Sequence, residues 1–146
     1  MFMNIEKLTW MGLRIVMGFI FFWAFLDKLL GLGFTTVKEA AWINGASPTV
    51  GFLTHGTRGP FVEIFQSMAG SPLVDWLFML GLLGTGLTLL LNRLVVVGAL
   101  SGGLIMLFIY LAALPPEHNP VFDDHIVQAF VLALLALKSI KNSRNL

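Results

Sequence analysis

Several ionisable side chains lie where long apolar stretches begin or end, a placement that suggests chemistry as well as packing. They are Asp27 and Lys28 near the end of the first stretch, Asp75 at the start of the second, and Asp124 and His125 at the start of the fourth. Ionisable groups at membrane depth are costly to solvate, so each requires a partner, access to water or a function. A histidine beside carboxylates suits proton transfer near neutral pH. We therefore expect Asp27, Asp124 and His125 to meet and to act as catalytic groups.

A cluster of this kind fits the chemistry of a quinone, whose reduction takes up two protons with two electrons. Tyr110 is expected to line the same site, although a single tyrosine near a helix end is most often an interface anchor. The chain contains no cysteine, which excludes disulfides, thiolate chemistry and iron–sulfur ligation. Pro120 interrupts the segment between His118 and His125, which disfavours a metal or haem site. We expect membrane quinone as electron acceptor, without a metal or a tightly bound cofactor.

Four apolar stretches position these side chains, at about 8–30, 73–91, 94–114 and 122–138. Each is close to the ~20 residues that cross a bilayer as a helix. Of the 146 residues, 57% are hydrophobic and only 12% are charged, which excludes an ordinary soluble protein. The sequence predicts an all-α integral membrane protein, a single domain over 1–146, with four transmembrane helices in an antiparallel bundle.

The distribution of charge predicts the orientation of that bundle. If four helices cross, one side carries five bases and one acid: Lys7, Arg93, Lys138, Lys141 and Arg144 with Glu6. The other side carries three bases and seven acids: Lys28, Lys38 and Arg58 with Asp27, Glu39, Glu63, Asp75, Glu117, Asp123 and Asp124. Lysine and arginine near helix ends mark the cytoplasmic side. We expect a multi-pass protein of the cell membrane with both termini cytoplasmic.

Residues 34–71 form a long external connection that retains many apolar residues. Within it, the pattern of Phe61, Ile64, Phe65 and Met68 predicts an amphipathic helix over 60–69, stopped by Gly70. Proline follows a residue suited to begin a helix at positions 48, 60 and 72. We interpret the connection as short helices folded over the outer mouth of the bundle.

At three places along the chain, charged residues have more than one interpretation. Arg14 could extend its side chain back to lipid headgroups, or pair with an acid on a neighbouring helix. Asp75 could simply favour the start of its helix through the helix dipole. Asp123 is a good N-cap for the fourth helix, and the polar residues that follow it, Asp124 and His125, are either part of that cap or part of a site.

Four pieces of the chain resemble the DoxX family of four-helix membrane proteins, above all its DoxD-type members, the large subunit of thiosulfate:quinone oxidoreductase. The pieces are RIVMGFIFFWAFLDKLLGLGF, AWINGASPTVGFL, SPLVDWLFMLGLLGTGL and YLAALPPEHNPVFDDHIVQAFVLALLAL. The resemblance implies oxidation of thiosulfate to tetrathionate with quinone as acceptor. It also implies a smaller DoxA-type subunit as partner. An external redox protein is the alternative to that subunit, and a homo-oligomer is a separate option. Membrane lipid is a further expected partner, and nucleic acid is not.

The resemblance also suggests where thiosulfate would bind. Lys28, Arg58 and the helix start at Ser47 would hold the anion, and Trp42 and Asn44 would line the lid side, with Asp75 and Tyr110 nearby. The acidic external face opposes this, because it disfavours approach of a dianion at long range.

The alternative function is a non-catalytic membrane scaffold that docks an external redox enzyme. A transporter is less favoured, because the second and third stretches contain few polar residues.

Overall fold

The computed structural model describes residues 4–144, and this part of the chain is helical without strands. The described part excludes residues 1–3, residues 145–146 and the side chain of Arg144. The chain ends, whose cytoplasmic location the sequence predicts, therefore lie outside it. The α-helices are α1 (Ile5–Leu30), α2 (Val62–Ser67), α3 (Pro72–Leu90), α4 (Val95–Ala112) and α5 (Asp124–Arg144). Short helical turns occupy Lys38–Ala40, Trp42–Asn44, Phe52–Gly56 and Gly59–Phe61.

The all-α architecture expected from the sequence is confirmed. Within the described residues, α3, α4 and α5 are long and apolar enough to cross a membrane. α1 is longer still, at 26 residues, and contains Arg14, Asp27 and Lys28. The bounds of α3 and α4 lie within two residues of the predicted stretches, whereas α1 begins at Ile5 rather than 8 and α5 covers Asp124–Arg144 rather than 122–138.

The long helices pack in the order α1, α3, α4 and α5, and α1 has little contact with α5. Their shared core contains Met17 and Phe21 of α1, Met79 of α3 and Leu132 of α5, all at most 4% exposed. Many large apolar side chains point outward instead. A surface so rich in exposed leucine, valine and phenylalanine fits contact with lipid rather than with water.

Two ends of this bundle must be distinguished. At the turn end, α1 begins, α5 ends, and positions 91–94 join α3 to α4. At the connection end lie both longer connections, 31–71 and 113–123. An ion pair between Glu6 of α1 and Lys138 of α5, 2.8 Å long, joins two helices at the turn end.

Certain glycines allow α3 and α4 to approach closely. A methyl group at Gly98 would overlap the hydroxyl of Thr88, and one at Gly102 would lie 2.6 Å from a Thr85 methyl. Gly84 and Gly103, in contrast, have open space where a side chain would stand. Close packing therefore depends on particular glycines, since small residues matter only where a neighbouring helix meets them.

Arg14 follows neither of the two interpretations offered by the sequence. Its guanidinium donates to the backbone carbonyls of Leu89 and Leu90 at the end of α3. The last carbonyls of a helix have no partner within the helix, and a cation is favourable there. Arg14 therefore stabilises the C-terminal end of α3 across the interface with α1.

The long connection packs against the connection end of the bundle. Leu53 and Phe65 form a small second core with Ala112 at the end of α4. The helix predicted over 60–69 is present but shorter, since α2 covers Val62–Ser67 and is preceded by a separate turn. The apolar pattern predicts one buried face, but not all of its residues are buried. Phe65 is 9% exposed, whereas Ile64 is 62% exposed.

Candidate functional site

Asp27 is 1% exposed and holds the chain that returns after α1. Its carboxylate accepts the backbone N–H groups of Phe34 (3.1 Å) and Thr35 (2.9 Å) and the Thr35 hydroxyl (2.7 Å). The turn is possible because Gly31 adopts φ of +65° and donates its N–H to the Asp27 carbonyl. The hydrogen bonds to Asp27 thus come from its own loop, which gives this buried acid a structural role.

An aromatic contact strengthens the same loop. The ring of Phe34 packs edge-on against Trp23, with centroids 5.2 Å apart. Trp23 also stacks on Phe19, one turn earlier in α1. Trp23 and Asp27 share a helix face, and that face is occupied by the segment around Phe34.

Asp75 holds the next part of the connection in a similar manner. It is 6% exposed in the first turn of α3. Its Oδ1 accepts hydrogen bonds from the hydroxyls of Ser47 (2.8 Å) and Thr49 (2.6 Å). The Ser47 hydroxyl also accepts the N–H of Val50, at 3.1 Å, and so caps the turn that follows. The helix-dipole interpretation of Asp75 is therefore incomplete, because the acid joins α3 to the connection.

The remaining residues of the WINGASPT segment also make local contacts. Trp42 packs edge-on against Trp76 of α3, with ring centroids 4.7 Å apart. The side-chain amide of Asn44 donates to the Lys38 carbonyl at 2.8 Å. Both contacts fix the path of the connection over the start of α3.

Arg58 joins the two connections at the end of α4. Its backbone N–H donates to the Ala112 carbonyl at 2.9 Å, and its Nε donates to the Ala113 carbonyl at 3.0 Å. Its guanidinium also forms an ion pair with Glu117 at 2.9 Å. Tyr110 donates its hydroxyl to the Val121 carbonyl, which fixes the opposite part of that connection.

Asp123 and His125 form a carboxylate–imidazole pair at the start of α5. One oxygen of Asp123, Oδ1, accepts the backbone N–H groups of His125 (3.0 Å) and Ile126 (3.3 Å), so that Asp123 is the N-cap. The other oxygen, Oδ2, lies 2.8 Å from Nδ1 of His125. Because an ionised carboxylate can only accept, Nδ1 carries the hydrogen and Nε2 is the basic nitrogen. The imidazole is about one-third exposed and so accessible to a ligand.

His125 contacts Asp123, whereas the sequence pointed to Asp124, and the catalytic roles expected of Asp124 and His125 stay predictions. Asp124 is the first residue of α5 and is exposed. The spacing of Asp123 and His125 in the sequence is consistent with this contact. An N-cap carboxylate that accepts backbone N–H groups with one oxygen has its other oxygen near the second residue of the helix. Asp123 therefore caps α5 and contacts the His125 imidazole at the same time.

The expected meeting of Asp27 and Lys28 with Asp124 and His125 is not seen as direct contact. In the described residues, no hydrogen bond or ion pair joins the first two to the last two. Asp27 is satisfied by its own loop, and half-buried Lys28 has no ion-pair partner in this part of the chain. Asp27 and His125 take their hydrogen bonds from separate local networks, and the approach of the four side chains to within about 10 Å stays a prediction.

Within residues 4–144, no three histidine, aspartate or glutamate side chains are placed to hold a metal ion. Comparisons of the chain with protein-family models, with curated proteins and with solved structures give no match.

Proposed function

We propose that this protein is the membrane subunit of an oxidoreductase that passes electrons from a small sulfur compound, such as thiosulfate, to membrane quinone. Four helices, α1 and α3–α5, cross the cell membrane, with both termini in the cytoplasm and the connection end outside. The apolar surface of the long helices and the excess of bases at the turn end support this arrangement. A DoxA-type subunit or another external redox protein is the expected partner.

The Asp123–His125 pair is the observation that carries the proposal. Oxidation of two thiosulfate anions to tetrathionate forms one sulfur–sulfur bond and releases two electrons. Quinone accepts these two electrons together with two protons and becomes quinol. Nε2 of His125 takes a proton from water at the exposed edge of the imidazole and passes it to the quinone as it is reduced, while Asp123 orients the ring through Nδ1 and stabilises the imidazolium. A second transfer along the same path supplies the second proton.

His125→Gln tests this role most sharply. The variant protein is reconstituted with its co-purified partner, and reduction of a soluble quinone analogue by thiosulfate is followed spectroscopically. Loss of a general acid typically lowers turnover by ~10²–10⁴-fold. Asp124→Asn is the matched control, because it removes a neighbouring exposed charge and leaves the pair intact, so we expect turnover within about twofold of the unsubstituted protein.

A second function, a non-catalytic scaffold for an external redox enzyme, is favoured by a different observation. Asp27, Asp75 and Arg58 all hold backbone or loop side chains, which builds a firm outer surface rather than a reactive cavity. In that case the His125→Gln complex would keep full activity. Absence of thiosulfate-dependent quinone reduction by the unsubstituted protein, with and without co-purified chains, would contradict the leading proposal.

A further inference from the structure

A cleft of about 870 Å³ opens at the turn end of the bundle. It lies between the start of α1, the last part of α5 and the turn that joins α3 to α4, where α1 and α5 have little contact. This is the end opposite to the Asp123–His125 pair. The cleft therefore requires a separate explanation.

The cleft is positively charged. Among the described residues that line it, Lys7, Arg14 and Lys138 are cations and Glu6 is the acid, which leaves two excess positive charges. The Lys138 ammonium, hydrogen-bonded to Glu6 at 2.8 Å, holds the pKa of that carboxyl below its usual range. Glu6 consequently stays ionised at neutral pH and neutralises Lys138. The excess charge belongs to Lys7 and Arg14.

Uncharged parts of the wall complete an amphipathic surface. Asn4, Asn92 and Asn142 also line the cleft, and their side-chain amides carry hydrogen-bond donors. Trp10 and Leu135 supply an apolar lining, and Trp10 is held in place by Lys138, whose Nζ lies 5.3 Å from the ring centroid. Cations and amides suit a phosphate group, whereas the apolar lining suits the glycerol and first methylenes of a lipid.

We propose that this cleft binds the headgroup of an anionic glycerophospholipid of the inner leaflet. Basic pockets between helices on the cytoplasmic side are suited to anionic headgroups. The volume favours a lipid headgroup over inorganic phosphate. A water molecule takes about 30 Å³ of liquid, and a phosphate ion only a few times larger would leave most of the cleft to water. The excess charge favours an anionic lipid over a zwitterionic one. This inference rests on the membrane topology of the proposed function and is independent of its redox chemistry.

The test compares ligands on the full-length protein in a nonionic detergent. Binding of phosphatidylglycerol, phosphatidylcholine and inorganic phosphate is measured by native mass spectrometry for the lipids and by thermal shift for all three. We expect phosphatidylglycerol to bind more tightly than phosphatidylcholine and to raise the melting temperature, and phosphate at equal concentration to have little effect. Equal effects of the two lipids would overturn the proposal, and so would a phosphate effect equal to that of phosphatidylglycerol.

Variants locate the binding site. Lys7→Gln should weaken phosphatidylglycerol binding about fivefold, since a cation near an anionic headgroup contributes on the order of 1 kcal/mol. Lys38→Gln is the matched control, because it removes an exposed lysine at the connection end, and its affinity should be unchanged. Asn142→Glu adds an acid at the cleft and should also weaken binding, which keeps the proposal testable if Lys7→Gln folds poorly. Equal weakening in Lys7→Gln and Lys38→Gln would indicate diffuse attraction and overturn the assigned site.

Discussion

At the scale of single residues, the buried carboxylates of the connection end accept hydrogen bonds from the protein's own chain. Asp27 accepts two backbone N–H groups and a hydroxyl, and Asp75 accepts two hydroxyls. A buried carboxylate is tolerated when it is well hydrogen-bonded. The partly exposed His125 is a different case, since its Nε2 has no hydrogen-bond partner in the described residues.

Asp27→Ala should destabilise the protein by about 2–4 kcal/mol, because it leaves donors of the Phe34–Thr35 turn without their acceptor. The free energy of unfolding is measured by denaturant titration in detergent micelles. Asp124→Ala is the control and should cost less than about 1 kcal/mol, since this exposed acid contributes only through the helix dipole. Similar losses in both variants would show that the hydrogen bonds of Asp27 are not what stabilises the turn.

The sequence indicated that these acids matter, because charged groups at membrane depth demand an explanation. It could not indicate their partners. Thr35 and Thr49 are ordinary connection residues in the sequence, and only the path of the folded chain brings their hydroxyls to Asp27 and Asp75. Sequence reasoning therefore grouped acids by helix end, whereas the structure groups each acid with its nearest loop.

At the scale of elements, two arginines stabilise the ends of two helices. Arg14 donates to carbonyls at the end of α3, and Arg58 does the same at the end of α4. The sequence anticipated lipid or an acid for the first and a substrate anion for the second. Neither interpretation considered helix carbonyls, because contact between a side chain and a distant helix end has no signature in sequence spacing.

Gly59→Ala should loosen the connection where it meets α4. Gly59 has φ of +75°, and a methyl group there would overlap the carbonyl of Leu114. Gly45→Ala is the matched control, because Gly45 has φ of +87° with open space around the added methyl. Both variants carry the cost of the left-handed backbone, about 1–2 kcal/mol. Gly59→Ala should carry about 1–3 kcal/mol more from overpacking.

Chemical unfolding of the two glycine variants, together with limited proteolysis of the connection, provides the measurement. We expect faster cleavage between α1 and α3 in Gly59→Ala than in Gly45→Ala. Equal stability and equal cleavage would show that the connection does not depend on its contact with Leu114.

At the scale of the whole molecule, the helices were predictable and the relation between them was not. Runs of about twenty apolar residues dictate helices in a membrane setting, so the bounds of α3 and α4 follow the sequence within two residues. The sparse contact between α1 and α5, which opens the cleft beside Lys7, depends on how the helices pack. No pattern along a single helix encodes such a gap.

The central claim is that four helices cross the membrane and separate an outer connection end, which carries the Asp123–His125 pair, from an inner end that carries the basic cleft. Because the chain has no cysteine, single cysteines can be introduced without background labelling. Cells carrying Lys7→Cys, Ala46→Cys, His118→Cys or Asn142→Cys are treated with an impermeant maleimide before and after permeabilisation. We predict labelling of Ala46→Cys and His118→Cys from outside, and of Lys7→Cys and Asn142→Cys only after permeabilisation. Labelling of Lys7→Cys or Asn142→Cys in intact cells would contradict the account.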